Sequence, residues 1–111
     1  MKTLLSFALI LAASWLPSAA FAESRRHVIV DCEWVAGYLH SIAVLRDQGA
    51  KESAMIVRAE ALAKEKEWPD RLKAHVTQRI HLVFADLVSE PPYVLSSDYL
   101  HGCAAAGGNI R

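Results

Sequence analysis

Two cysteines are the residues of this 111-residue chain whose chemistry is easiest to interpret. Cys32 and Cys103 are not part of a Cys-x-x-Cys motif, and neither has a neighbour in sequence that would stabilise a thiolate. They can form a single intramolecular disulfide, which would close a loop of about 72 residues and stabilise the fold by roughly 4 kcal/mol. Pairing between two chains and a redox-active thiol are the alternatives to this predicted Cys32–Cys103 bond.

Five histidines raise the question of a metal site, but their spacing gives it little support. His75 and His81 are six residues apart, so they cannot chelate one ion from the same helix face. The sequence contains no His-Glu-x-x-His motif, no paired Cys-x-x-Cys motifs and no aspartate-rich calcium loop. We therefore predict no metal ligand and no cofactor. A metal or small-ligand carrier that uses His40 or His101 is an alternative, because these residues could approach each other if their helices are neighbours.

Residue patterns typical of catalysis are equally scarce. The chain has no Gly-x-Ser-x-Gly motif for a nucleophilic serine and no Cys-x-x-Cys-His motif for covalent haem. Gly107-Gly108 follows no predicted strand, so it does not have the context of a phosphate-binding loop. We predict no catalytic residue and interpret the protein as something other than an enzyme.

Residues 1–22 have the pattern of a secretory signal peptide. Lys2 precedes an apolar run, and the segment ends in small residues at Ala20 and Ala22, after either of which cleavage is expected. No later segment approaches the ~20 apolar residues of a membrane span, so we expect no stable membrane insertion after signal cleavage. Residues 23–111 would then form a single domain in the periplasm or outside the cell, where a disulfide is stable.

The charge balance removes two classes of partner. The full chain has twelve basic and twelve acidic residues, and loss of Lys2 with the signal leaves eleven basic ones. A nearly neutral domain gives no reason to expect nucleic acid or an anionic membrane surface as a ligand.

Apolar spacing and capping residues predict four helices in the mature chain. Asp31 is the expected N-cap of the first helix, and Gly49 is its expected left-handed C-terminal residue. Pro91-Pro92 is expected to end the third helix and form an extended link, and Ser96-Ser97-Asp98 is expected to cap the fourth. The predicted helices span about 32–47, 51–66, 69–88 and 96–105.

These elements predict an all-α fold, a small four-helix up-down bundle closed by one disulfide, Cys32–Cys103. Short links favour antiparallel neighbours. Cys32 opens the first helix and Cys103 lies near the end of the fourth, so an up-down path brings them to the same end of the bundle. Outside the helices, Val28-Ile29-Val30 is predicted as coil on the core and Asn109-Ile110-Arg111 as a loose tail.

A narrow polar strip on the first helix is the candidate partner-binding surface. It consists of Glu33, His40 and Asp47, which are seven residues apart, together with Gly37, where the missing side chain would let another backbone approach. Internal packing of a second helix at Gly37 is the simpler explanation of the glycine. The aromatic residues Trp68 and Tyr93 fall in predicted links, where they are expected to cover the ends of the bundle.

Cys32 stands at the start of a predicted apolar helix, and Arg46-Asp47-x-Gly49 follows near its end. The segment Ile80-x-x-Val83-Phe84 is followed by a proline-bearing link and by Cys103. In these features the chain resembles small exported helical proteins of Gram-negative bacteria that have one cysteine at each end of the mature domain. The resemblance extends over nearly all of the mature chain and implies a periplasmic, disulfide-closed helical domain. It implies no catalytic residue.

A non-catalytic protein-interaction module of the inhibitor, immunity or envelope accessory type is the function that the sequence favours. Its partner would be an envelope or extracellular protein. An acid- or stress-responsive holdase chaperone is an alternative, because five histidines and twelve carboxylates would make the chain strongly positive as the pH falls. The metal or small-ligand carrier is the other alternative.

Overall fold

The computed structural model of the protein describes residues 28–110, so the predicted signal peptide at 1–22 lies outside the described residues. Four helices make up most of this part, and two very short strands flank them. In chain order the elements are β1 (Val28–Ile29), α1 (Cys32–Asp47), α2 (Glu52–Glu65), α3 (Asp70–Phe84), α4 (Pro92–Ala105) and β2 (Asn109–Ile110).

Helix α1 has the predicted boundaries and the predicted caps. The Asp31 carboxylate accepts a hydrogen bond from the Trp34 backbone N–H at 3.1 Å, and Gly49 has a φ of +97°. One face of the helix is buried because its small and branched apolar residues recur every three or four positions. The buried residues of this face are Val35, Ala36, Leu39, Ile42 and Ala43.

Helix α3 is shorter than its apolar pattern predicts, because it ends at Phe84 and not near 88. At Ala85 the backbone leaves the helical region, with φ −114° and ψ −93°. The Leu87 N–H then turns back to bond the Leu82 carbonyl at 2.8 Å. Leu87 packs against the core from this turn, which is why its position matched the helical spacing although it lies outside the helix.

Helix α4 begins at Pro92, so the predicted cap at Ser96-Ser97-Asp98 is wrong. Pro91 occupies the N-cap position in an extended conformation, and Pro92 takes the first helical position. Proline suits that position because its missing N–H would have no partner within the helix. Ser96 lies inside the helix, where its hydroxyl donates to the Tyr93 carbonyl at 3.2 Å. The link between α3 and α4 therefore lies at 85–91, about four residues earlier in the chain than predicted.

The segments predicted as coil and loose tail pair with each other, so those two predictions are also wrong. Val28 is opposite Ile110 in a two-stranded antiparallel sheet, and the Val30 N–H donates to the Gly108 carbonyl at 2.9 Å. Ile110 is only 4% exposed, so burial of its side chain holds the strand on the bundle. Gly108 has a φ of +76°, and a Cβ there would lie 2.8 Å from the Val30 carbonyl oxygen. The close approach of the two segments therefore needs glycine.

The helices pack as two antiparallel pairs, and the predicted four-helix bundle closed by Cys32–Cys103 is confirmed. The disulfide joins the start of α1 to the end of α4, with the two Cα atoms 5.7 Å apart. In the other pair, α2 and α3 run in opposite directions and pack on each other. Helix α1 packs most extensively on α4 and also contacts α3, so the contact between α1 and α3 joins the two pairs.

The far end of α1 is tied to the link between α3 and α4 by Arg46. Its guanidinium donates three hydrogen bonds to backbone carbonyls, at 3.0 Å to Val83, 3.0 Å to Leu87 and 2.7 Å to Glu90. The side chain is 6% exposed and also forms an ion pair with Asp47 at 3.0 Å. The carbonyls left free where α3 ends are satisfied in this way.

Among residues 28–110, no helix combines the length and the apolar character that crossing a bilayer demands.

Candidate functional site

The four residues of the predicted partner-binding strip all lie on the exposed side of α1. Glu33, Gly37, His40 and Asp47 are solvent-exposed, and a Cβ added to Gly37 would meet no atom within 4 Å. No neighbouring helix therefore packs against Gly37 in the described part of the chain, and the internal-packing explanation of this glycine is wrong. Asp47 is less free than the other three because Arg46 holds its carboxylate.

Three aromatic side chains lie beside this strip and form what we call the aromatic surface: Trp34, Tyr38 and Trp68. The Trp34 and Tyr38 rings are stacked, with centroids 5.4 Å apart and planes 6° from parallel. Trp68 meets Trp34 edge to face, with centroids 5.6 Å apart. Trp34 remains 43% exposed despite these contacts. The surface therefore exposes aromatic side chains that pack against one another.

The helix spacing explains how the aromatic surface is assembled. Trp34 and Tyr38 are four residues apart on α1, and Trp68 reaches them from the link between α2 and α3 at the same end of the bundle. Burial raises the pKa of the Tyr38 hydroxyl above its ordinary value, and the nearby Arg58 cation partly opposes this. The spacing of Trp34 and Tyr38 in the sequence also fits the apolar face of α1, so it does not indicate that the two rings are stacked and exposed.

A groove between α3 and α4 is the second candidate site. Both helices pack on α1 but make only sparse contact with each other, so α1 forms the floor of an open cleft of about 330 Å³. Residues 95, 98, 99, 102 and 103 of α4 line one wall at helical spacing, and Ala106 extends it just past the end of the helix. Leu39 of α1 and Ile110 of β2 contribute to the floor and one end.

A hydrogen bond between the two walls crosses this groove. The His75 Nε2 atom on α3 lies 2.7 Å from the Tyr99 hydroxyl oxygen on α4. Arg79, one turn further along α3, places its guanidinium carbon 5.5 Å from the centroid of the Tyr99 ring. Burial lowers the pKa of His75 below its ordinary value, and the positive charge of Arg79 lowers it further. Burial also raises the pKa of Tyr99, so both members of the bond are uncharged near neutral pH.

The other histidines within residues 28–110 lie outside the groove. His40 and His101 are exposed, and His81 bonds the Glu52 carboxylate at 3.0 Å across the α2–α3 pair. Hydrogen bonding and charge from Glu52 raise the pKa of His81 above its ordinary value. Within the part of the chain that the structure describes, no group of three or more His, Cys, Asp or Glu residues is arranged to hold a metal ion.

Tyr93 is placed differently from its predicted position. It lies in the first turn of α4 and is 70% exposed, so it does not cover the end of the bundle. Trp68 is half-buried against the core, as a residue that covers a bundle end would be.

The fold defines the protein as a small, disulfide-closed helical bundle. No protein-family model matches the chain, and no curated protein and no solved structure shows significant similarity to it.

Proposed function

We propose that this protein is an exported, non-catalytic interaction module that binds an envelope or extracellular protein through the exposed face of α1. The observation that carries the proposal is the aromatic surface, in which stacked Trp34 and Tyr38 stand at the protein surface beside Glu33 and Gly37. Tryptophan and tyrosine are the side chains that most often dominate the binding energy of protein interfaces.

The local geometry suits a partner that docks closely on the helix. Gly37 lies between Trp34 and Tyr38 in sequence and presents open space, so a partner backbone could approach α1 there. The rings are fixed by their mutual contacts before binding, and less conformational entropy is lost when such residues are covered. The exposed Glu33 and His40 supply polar contacts at the edge of the apolar patch.

Export is supported by the N-terminal sequence pattern and by the disulfide. Residues 1–22 have the charged start, apolar core and small residues of a signal peptide. A bond between Cys32 and Cys103 is expected to persist in an oxidising compartment such as the periplasm or the extracellular space.

The experiment uses two glycines that face different surfaces. Gly37→Leu adds a side chain in the middle of the proposed interface, and Gly102→Leu adds one in the groove. A Cβ at either position meets no atom within 4 Å, so both variants are expected to fold. Purified mature protein would be cross-linked in an envelope extract, and bound proteins identified by mass spectrometry. We expect at least one protein that wild type and Gly102→Leu capture and Gly37→Leu does not.

Identical capture by both variants would contradict binding at α1. Capture of no protein by wild type would contradict the interaction module itself. Far-UV circular dichroism of the two variants checks that a loss of capture does not come from unfolding.

An acid-responsive holdase is the second candidate, and His75 is the observation that favours it. This half-buried histidine becomes positively charged beside Arg79 only at a pH below its ordinary range, and the new charge would oppose the packing of α3 on α4. Light scattering of an aggregating client protein at pH 3 separates the two functions. A holdase suppresses the aggregation there, and a specific binder does not.

A further inference from the structure

We propose that the groove between α3 and α4 binds a small zwitterion with an apolar body, of the kind represented by an apolar amino acid or dipeptide. The groove is lined by different residues from the aromatic surface, and the proposal does not depend on the interaction module.

The size and floor of the groove suit a small ligand. Its volume of about 330 Å³ lies at the lower end of the range typical of small-molecule sites. Leu39, Leu95 and Ile110 line it, and each is at most 4% exposed. From Leu95 to Cys103 the α4 wall is about 12 Å long at 1.5 Å per residue. One or two apolar side chains of a ligand can therefore move out of water when they pack against this floor.

The charged groups of the groove are of both signs. Arg79 stands on the α3 wall, Asp98 on the α4 wall and Glu90 at the end nearest the link. Within residues 28–110, none of the three forms an ion pair within 4.0 Å, so their charges are not neutralised by each other. A carboxylate on a ligand can pair with Arg79, and an ammonium group can pair with Asp98 or Glu90.

Ligands with one charge fit this arrangement less well. A simple carboxylate at Arg79 would also face the negative potential of Asp98 and Glu90. A simple amine would bring its positive charge close to Arg79. A zwitterion avoids both costs, because each of its charges has an opposite charge within the groove.

The His75–Tyr99 pair provides the uncharged polar contact between the two walls. It joins the walls at 2.7 Å through two residues that both line the groove. The Arg79 guanidinium lies close to the Tyr99 ring, and this contact with the aromatic face orients the cation toward the same part of the groove. When His75 Nε2–H donates to the Tyr99 oxygen, the Tyr99 O–H can in turn donate to a carboxylate that pairs with Arg79.

The test is a titration of the mature, oxidised protein followed by ¹H–¹⁵N NMR, with L-leucyl-L-leucine as the probe. We expect saturable shifts of amides that line the groove. Three comparison ligands are the same dipeptide acetylated and amidated at its ends, octanoate and octylamine. The zwitterion should bind about tenfold more tightly than each of them, because each lacks one or both charges.

Two pairs of matched variants locate the site. Gly102→Leu should abolish the saturable shifts by filling the groove, and Gly37→Leu should leave them unchanged. Arg79→Gln should weaken binding about tenfold, and Arg71→Gln, at an exposed position of α3 outside the groove, should not.

Two results would overturn the proposal. One is the absence of saturable binding by the dipeptide at millimolar concentration. The other is equal binding of the dipeptide by wild type and a folded Gly102→Leu variant. The reciprocal behaviour of the glycine variants keeps the two proposals distinct, because Gly37→Leu can lose a protein partner and still bind the dipeptide.

Discussion

The two ends of α1 are joined to the rest of the bundle by different chemistry. At its start, Cys32 is bonded covalently to Cys103 near the end of α4. At its other end, Arg46 holds the link between α3 and α4 through hydrogen bonds to the Val83, Leu87 and Glu90 carbonyls. Both ties connect α1 to chain segments more than thirty residues away, with separations of 71 residues for the disulfide and 37 to 44 for Arg46.

The difference between the ties lies in the state on which each acts. A disulfide restricts the unfolded chain, so its effect is spread over the whole folding equilibrium. The Arg46 hydrogen bonds exist only in the native state, and they satisfy carbonyls of one short segment. Removal of the disulfide should therefore lower global stability, whereas removal of Arg46 should mainly loosen the α3–α4 link.

The largest expected effect comes from removal of the disulfide. The double variant Cys32→Ala/Cys103→Ala should lose about 4 kcal/mol of unfolding free energy, because the unfolded chain is no longer closed into a long loop. Urea denaturation at neutral pH would measure the difference. Wild type treated with a reductant is the control, and it should unfold at nearly the same urea concentration as the double variant. Coincident transitions of oxidised wild type and the double variant would contradict the stabilising function of the bond.

The Arg46→Met variant is expected to have the second largest effect, about 2–3 kcal/mol. Methionine keeps much of the apolar stem, but it cannot donate to the three carbonyls. A hydrogen bond to a charged group contributes a net ~1.5–3 kcal/mol, and the total loss is smaller than three such bonds because water can reach the largely exposed link. Hydrogen exchange should accelerate most in the amides of residues 85–90, beyond any effect on the helices. Arg71→Met, at an exposed position of α3, is the matched control and should change stability by less than about 0.5 kcal/mol. Unchanged exchange in residues 85–90 would show that Arg46 does not hold the link.

These two ties also show which features of the fold the sequence could reveal. A cysteine has one common structural use in an exported chain, so Cys32–Cys103 could be predicted from residue type alone. Arg46 could not be recognised as a link between distant segments, because its spacing along α1 places only its stem on the apolar side and does not identify the carbonyls it binds. Its carbonyl partners depend on where α3 ends, and that end was predicted too late in the chain. The bundle was therefore predictable, and the contacts at one of its ends were not.

The strands and the start of α4 were missed for a related reason. Two-residue strands have no detectable periodicity, and the pairing of Val28 with Ile110 is set by tertiary contact between the two termini of the described chain. Pro91-Pro92 was interpreted as an extended link, although a proline is also favourable at the first helical position. The local sequence does not distinguish a proline pair in an extended link from one that begins a helix, because a helix follows in both cases.

The candidate sites were predictable in part. The strip of Glu33, Gly37 and His40 was correctly expected to share one side of α1, because helical spacing alone determines that arrangement. The aromatic surface needed the position of Trp68, which comes from another part of the chain. The groove needed the separation of α3 and α4, and no single-helix pattern reports the distance between two helices. The proximity of Trp34 to Tyr38 at i and i+4 was the one signal available in the sequence.

The smallest expected effect is the pH dependence of stability, which should differ in sign between a histidine near one end of the molecule and a histidine near the other. His75 lies toward the disulfide end of α3 and has a lowered pKa in the folded state, so the unfolded chain binds more protons as the pH falls below about 6.5. Its contribution to stability should therefore decrease with acidification. His81 lies toward the Arg46 end and has a raised pKa, so its contribution is complete below about pH 6.5 and is lost as the pH rises through the folded-state value.

Urea denaturation of wild type, His75→Gln and His81→Gln between pH 5 and 8 would measure these opposite dependences. The stability of wild type relative to His75→Gln should fall as the solution is acidified, and the stability relative to His81→Gln should rise. The second difference should be the smaller because the His81–Glu52 pair is exposed and screened by solvent. If both differences changed in the same direction, His75 could not be mainly buried next to Arg79 and bonded to Tyr99 in solution. Opposite slopes would show that acid weakens the contact between the walls of the groove and leaves the Glu52–His81 contact of the α2–α3 pair intact.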